Sequence, residues 1–250
     1  MHELKKHTAI NPIENEKILE NIEFWHNSGY EELEQQAPHS GVLTILAGGK
    51  SLELYKGDGS NAIACGSTMR AIKNLGIIPE KYLHLDPITY DFGYTIPEAT
   101  EFIVSVTSPK KLNDIIINKE KLRLFYPACM DYMPEKKKII NTTTVGVTAI
   151  VIGLYLGYRS FEAYGLDSCY IDNKHHFDYY TKEESEKVKE QGTMEVFCND
   201  KKFICSPQMA MQALDFKDVC KLWGHKFKIN IHGEGLLAEM MKRKENADIS

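Results

Sequence analysis

From Val42 onward the chain alternates short β-rich runs with helical stretches, and this alternation limits the folds open to it. The runs are Val42 to Ala47, Ala62 to Cys65, Tyr82 to Leu85, Glu101 to Val106, Leu122 to Phe125 and Ser160 to Tyr164. Antiparallel strands can be joined by a tight turn, whereas parallel neighbours need a long crossover, usually a helix. Strand, helix, strand repeats therefore imply βαβ units. The expected architecture is α/β: a Rossmann-like, doubly wound, mostly parallel sheet with helices on both faces. Residues 1–40 read as an N-terminal helical extension, 41–243 as the Rossmann-like α/β domain and 244–250 as a polar tail.

Several element ends are visible. In the extension, Pro12 suits a first turn and Ile13, Ile18, Leu19 and Ile22 recur at helical spacing, so residues 12–36 read as helical. Thr142, Thr143 and Thr144 offer caps to a helix running through Leu156, which Gly157 ends. Met194 to Cys198 and Lys202 to Cys205 flank Asn199-Asp200-Lys201 and read as a hairpin. A helix follows, opened by Ser206-Pro207 and closed by Gly224, to make a C-terminal hairpin-plus-helix element. Lys226 to Ile231 reads as a last strand. The charged, tyrosine-bearing stretch from Asn173 to Gly192 lacks a period and reads as a lid.

Composition narrows the function classes. With 43% hydrophobic and 26% charged residues, 250 residues can bury a full core. A net charge of -5 argues against duplex nucleic acid as a partner. The longest apolar stretch, Val145 to Leu156, is too short to span a bilayer, and Met1 to Thr8 carry no apolar leader, so a cytoplasmic location is expected. The six cysteines form no C-x-x-C pair, which suggests reduced thiols rather than zinc or disulfides. Homo-oligomerisation is left open.

The chemistry-bearing residues sit where strands end. Ala47-Gly48-Gly49-Lys50-Ser51 follows the first run; such glycines let a backbone approach an anion, and Ser51 offers a hydroxyl. The same turn also reads as a plain tight connection. Gly66 and Ser67 repeat the pattern after the second run, Ser67 serving as cap or ligand contact. Asp86 precedes Pro87 at the third strand end, as a turn-starter or as a carboxylate for ribose or magnesium. The run Ser160 to Tyr164 breaks at Gly165 and then presents Asp167, Asp172, His175 and His176. In open α/β sheets ligands bind beyond the carboxyl ends of strands, so this segment is expected at an active site. His232-Gly233-Glu234-Gly235 lies between the last strand and a helix, its amides placed for a ligand or for a structural turn. Tyr170, Phe177, Tyr179 and Tyr180 read as stacking groups or as pins for the loop.

Taken in order, Ala47-Gly48-Gly49-Lys50-Ser51-Leu52, Cys65-Gly66-Ser67, Leu85-Asp86-Pro87, Thr144-Val145-Gly146-Val147-Thr148-Ala149 and Tyr164-Gly165-Leu166-Asp167 resemble the 6-hydroxymethylpterin pyrophosphokinase-like family, catalogued as domain of unknown function 115. The stretches Phe203 to Ala213 and Ile231 to Leu237 resemble its bacterial and phage subgroup, and the resemblance covers about residues 42–241. The family's G-x-G-P-S-L turn is similar to that of bacterial sialyltransferases and motility-associated glycosyltransferases; here Ala47 and Lys50 replace its first glycine and proline. The resemblance implies a nucleotide-dependent transferase acting on a nucleotide and a small hydroxylated acceptor. Pyrophosphoryl transfer from ATP leads, glycosyl transfer from a sugar nucleotide is the alternative, and a non-catalytic nucleotide- or sugar-binding module is a third reading. It further implies nucleotide contacts from Gly48, Gly49, Ser51, Gly66, Ser67, Thr144, Gly146, Gly165, His232 and Gly233. Asp86 and Asp167 would hold Mg2+, and His176, His175 and Asp167 would be catalytic, a histidine serving as base on the acceptor hydroxyl.

Overall fold

A computed structural model describes residues 15–87, 96–128, 135–174 and 192–247. The strands are β1 (Glu31–Glu32), β2 (Val42–Leu46), β3 (Ala62–Cys65), β4 (Lys81–His84), β5 (Glu101–Ser105), β6 (Leu122–Pro127), β7 (Lys138–Ile139), β8 (Ser160–Tyr164), β9 (Met194–Cys198), β10 (Lys201–Cys205) and β11 (Lys228–Ile231). The helices are α1 (Asn15–His26), α2 (Met69–Asn74), α3 (Val145–Tyr155), α4 (Pro207–Trp223) and α5 (Leu236–Ala247). Nine strands form one sheet in the order β1-β6-β5-β4-β3-β2-β8-β11, with β7 beside β6. Every pairing in this sheet is parallel.

The burial of each strand explains its place. Every residue of β3 and β4 is buried, as expected of strands covered on both faces. On one face Leu43, Ile45, Ile63, Leu83 and Ile103 pack with α3, α4 and α5. On the other, Leu46, Ala64, Tyr82, Phe102 and Val104 pack with Trp25 of α1 and Met69 and Ile72 of α2. Helix α3 is apolar all round and most of it is buried, which suits a helix sunk between a sheet and its neighbours. In β8, Phe161 and Ala163 face the α3 core, whereas Glu162 and Tyr164 are half-buried on the opposite side.

The differences from expectation are local. The first helix ends at His26, not near residue 36, because Gly29 (φ +77°) turns the chain and Glu31–Glu32 then pair with Arg123 and Leu124. Trp25 of α1 is fully buried, and its Nε1–H donates to Ser108 O at 2.7 Å. Lys136 pairs with Glu32, and exposed Lys137 Nζ donates to Gln35 Oε1 at 2.9 Å. The hairpin β9–β10 forms its own antiparallel two-stranded sheet, with Asn199 and Asp200 at positive φ as its turn requires. Ser206 caps α4 by accepting from Met209 N at 3.2 Å. Burial raises the Cys169 thiol to about 12 and Cys205 to about 11, so both stay protonated at neutral pH.

Candidate functional site

The strand order reverses at β2: β3 to β6 follow on one side of it, while β8 and β11 lie on the other. Loops leaving β2 and β8 turn to opposite faces at such a switch point, and a crevice opens between them at the carboxyl ends. Gly48, Gly49 and Ser51 follow β2 here, and Gly165 and Asp167 follow β8. The parallel pairing of β2 with β8 thus brings the two glycine turns together.

Their contact is tight. Gly49 N donates to Gly165 O at 2.8 Å, and Gly165 N donates to Ser51 Oγ at 2.9 Å. Ser51 N donates to Asp167 Oδ2 at 2.9 Å. Gly165 has φ +72°, and a Cβ there would overlap Ala47 O and lie 2.7 Å from Ala47 C. Gly49 is different: its φ of -76° is open to any residue, but a Cβ would overlap the Asp167 carboxylate and lie 2.6 Å from Gly165 O. Ser51 is expected to offer its hydroxyl to a ligand, yet it is 4% exposed and turned inward, committed to the β8 turn.

Asp167 is 3% exposed, and its Oδ1 has no hydrogen-bond partner among the described residues. Burial pushes its carboxyl above the usual range, an effect opposed by hydrogen bonds from the Ser51 side chain and backbone and from the Lys50 backbone. Its visible work is to tie the β8 turn to the first turn of the 3-10 segment Lys50–Leu54. Asp86 lies two residues beyond β4, a strand three positions from β8 in the sheet. Among the described residues no group of three or more His, Cys, Asp or Glu side chains is placed to hold a metal ion. Asp86 and Asp167 thus follow different, non-adjacent strands, β4 and β8.

Three further segments border the crevice. At the α3 N-terminus Thr144 takes the N-cap position, but its hydroxyl makes no cap hydrogen bond. Instead Gln212 Nε2 of α4 donates to Thr144 Oγ1 at 2.9 Å, and Ser168 Oγ donates to Gln212 Oε1 at 2.5 Å. Asp215 Oδ2 accepts from Thr143 N at 2.7 Å and Thr143 Oγ1 at 2.5 Å. Gly146 is buried and close to Leu166 and Ala47, which brings α3 against both turns. A Cβ on Gly66 (φ +52°) would lie 3.4 Å from Val145 Cγ1, so the β3 turn borders the same helix end, and Ser67 follows it. After β11, a Cβ on Gly233 (φ +103°) would lie 2.6 Å from Ser51 Cβ and 3.4 Å from Asp167 Oδ1.

His232 carries more than a backbone amide. Its Nε2 lies 2.6 Å from Glu162 Oε2, and Asn230 Nδ2 donates to the same oxygen at 2.8 Å. The imidazole stacks on Tyr164 with centroids 4.0 Å apart and planes 5° apart, and Tyr55 meets Tyr164 edge-on at 5.2 Å. Burial, then the nearby Glu162, raise the Tyr164 phenol, so it stays neutral.

The structure thus gathers Gly48, Gly49, Ser51, Gly66, Ser67, Thr144, Gly146, Gly165, Asp167, His232 and Gly233 around one switch point and leaves Asp86 two strands from β2. His175 and His176 lie outside the described residues, as do Phe177, Tyr179, Tyr180 and almost all of the expected lid. Glu162, Gln212 and Asp215 were not singled out in the sequence. The register Asn230↔Glu162 across β11 and β8 sets the first, and no local pattern announces such a pairing. Gln212 and Asp215 lie three residues apart on α4, a spacing that reads equally as solvent face.

The fold is similar to that of the MAf glycosyltransferase from Magnetospirillum magneticum AMB-1, with a TM-score of 0.62 at 14% sequence identity; the match covers 94% of this chain and 41% of that chain. No family model and no curated protein matches the sequence. The chain therefore spans less than half the length of that neighbour, and the likeness is one of fold. No helix among the described residues is long and apolar enough to cross a membrane.

Proposed function

We propose that this chain is a transferase that takes a sugar nucleotide as donor and passes the glycosyl group to a hydroxylated acceptor. The observation that carries the reading is the pair of interlocked glycine turns at the switch point, bordered by the N-terminus of α3. Backbone amides in close turns and at helix starts suit phosphate oxygens, and here they lie where α/β sheets take nucleotides. The structural likeness to a protein described as a glycosyltransferase supports sugar transfer over pyrophosphoryl transfer. The donor phosphates would meet the amides of Gly48, Gly66 and Gly146 and the hydroxyls of Ser67 and Thr144. Asp167, Ser51 and Gly165 shape the turn from beneath.

A thermal-shift screen over CMP-, UDP- and GDP-sugars and ATP, each with and without magnesium, tests this. A ligand at a hundredfold excess over its Kd adds about 2.7 kcal/mol, or roughly 5–10 °C for a chain of this size. A sugar nucleotide should stabilise the protein and be turned over, with release of nucleoside mono- or diphosphate. AMP formed from ATP would establish the pyrophosphokinase reading instead. Stabilisation without turnover would identify a binding module.

A further inference from the structure

We propose that His232, held by Glu162, is the general base that takes the proton from the acceptor hydroxyl. This rests on the sugar-nucleotide reading above. Four observations carry it. An ionised carboxylate only accepts, so the 2.6 Å contact with Glu162 Oε2 places the imidazole proton on Nε2 and leaves the lone pair on Nδ1. Asn230 Nδ2 donates to the same oxygen at 2.8 Å and fixes that carboxylate; it also lies 3.2 Å from His232 Nε2, and with its protons directed to Glu162 it leaves Nε2–H to do the same. The stack on Tyr164, itself braced by Tyr55, fixes the ring plane. The His232 side chain is 30% exposed, and among the described residues Nδ1 has no partner. A base oriented through its second nitrogen by a carboxylate, with the first nitrogen open, has the geometry that activates a hydroxyl nucleophile.

Its position fits the reaction. His232 N donates to Ala163 O at 2.9 Å, which keeps the residue on the end of β11 beside β8. The next residue, Gly233, packs on Ser51 and Asp167 of the interlocked turns. The base therefore stands one residue from the donor cradle, on the face of β8 that carries Glu162 and Tyr164. In the step itself the acceptor oxygen bonds to the anomeric carbon of the donor as its bond to the phosphate oxygen breaks. The bonding pair leaves on the nucleotide phosphate, and the hydroxyl proton passes to His232 Nδ1 and then to water. Among the described residues, the titratable groups in contact with the imidazole are Glu162 and Tyr164; Tyr55 lies behind the second.

Two measurements on the full chain test the proposal. In 15N spectra of histidine-labelled protein near neutral pH, assigned with a His232→Gln variant, His232 should be the Nε2–H tautomer, and Glu162→Gln should mix the tautomers. An Nδ1–H tautomer in the wild type overturns the proposal whatever the activity. The second measurement is the pH-rate profile of nucleotide release from whichever CMP-, UDP- or GDP-sugar the wild type turns over. General-base catalysis typically contributes 10²–10⁴-fold, so His232→Gln should lose about a hundredfold or more in turnover and the acid limb with it. Nucleotide Kd should stay within about threefold of wild type, and added imidazole should restore part of the rate to His232→Ala. Glu162→Gln should lower kcat about tenfold with KM little changed. Wild-type turnover and acid limb in His232→Gln, or their loss in His175→Ala or His176→Ala instead, overturns the assignment. A wild type that binds nucleotide but turns over no donor also overturns it. Failure of every nucleotide to bind refutes the transferase reading itself.

Discussion

Gly49→Ala isolates the close approach of the two turns from any effect of backbone conformation. The residue has φ -76°, so alanine brings no conformational strain, and the whole effect comes from one methyl group. That methyl carbon would sit 2.6 Å from Gly165 O, where ordinary contact begins near 3.4 Å, so the turns must part by about 0.8 Å. It would also press on the Asp167 carboxylate. Parting stretches Gly49 N to Gly165 O from 2.8 Å and Ser51 N to Asp167 Oδ2 from 2.9 Å. Each bond is worth about 1 kcal/mol and overpacking costs about 1–3 kcal/mol, which together give ~3–5 kcal/mol. For a chain of this size the fall in Tm should be roughly 6–20 °C. The natural control is Gly29→Ala: φ is +77° with nothing within 4 Å, so the cost is only the ~1–2 kcal/mol of left-handed backbone. Urea denaturation of wild type and both variants reads the difference. If Gly49→Ala loses no more than Gly29→Ala, the interlocked turns do not exist as described.

Other expectations concern groups away from the turns. His84 is buried and desolvation drops it to about 3, well below the unfolded value of 6.5. The unfolded state therefore binds a proton that the fold refuses between these values. Stability should fall by ~1.4 kcal/mol per pH unit on acidifying below about 6.5, a slope that His84→Gln removes; urea midpoints at several pH values between 7 and 4 measure it. Asp215→Ala should cost ~1–3 kcal/mol, because it strands two Thr143 donors, and a double-mutant cycle with Thr143→Val should show coupling above about 0.5 kcal/mol. Additive effects would mean that the Asp215 bond does no work. Trp25→Phe should cost ~1–3 kcal/mol by leaving Ser108 O without its 2.7 Å donor, and an unchanged urea midpoint would contradict the docking of α1.

The sheet was legible because its signals are local: Ala62 to Cys65 and Ser160 to Tyr164 are apolar runs with glycine at one end, and the structure keeps both limits. The end of α1 was not, since the partner that draws Glu31–Glu32 into a strand is β6, about ninety residues away. At the site, the positions of the glycine turns could be read but their duties could not. Whether Ser51 points to a ligand or to Gly165, and whether Asp167 meets a metal or a backbone amide, depends on how two distant loops meet. Gly49 shows the same limit: the residue is required, but by the neighbour it touches rather than by its own φ. The Glu162–His232 pair arises from register between β8 and β11, a property of the assembled sheet.

The reversal at β2 also sets a timetable. Leu46 pairs with Tyr164, 118 positions later in the chain. At about 5–20 residues per second, a ribosome needs roughly 6–24 s to deliver that partner. By then β3 to β6 have all been synthesised on the other side of β2. For those seconds an interior strand of the finished sheet is an outer one, with one row of N–H and C=O groups bare and Val42 to Leu46 ready to pair with any extended chain nearby. Nascent chains that stop before Ser160 should therefore aggregate through this strand, and the first half of the protein depends on the timely arrival of β8 to stay soluble.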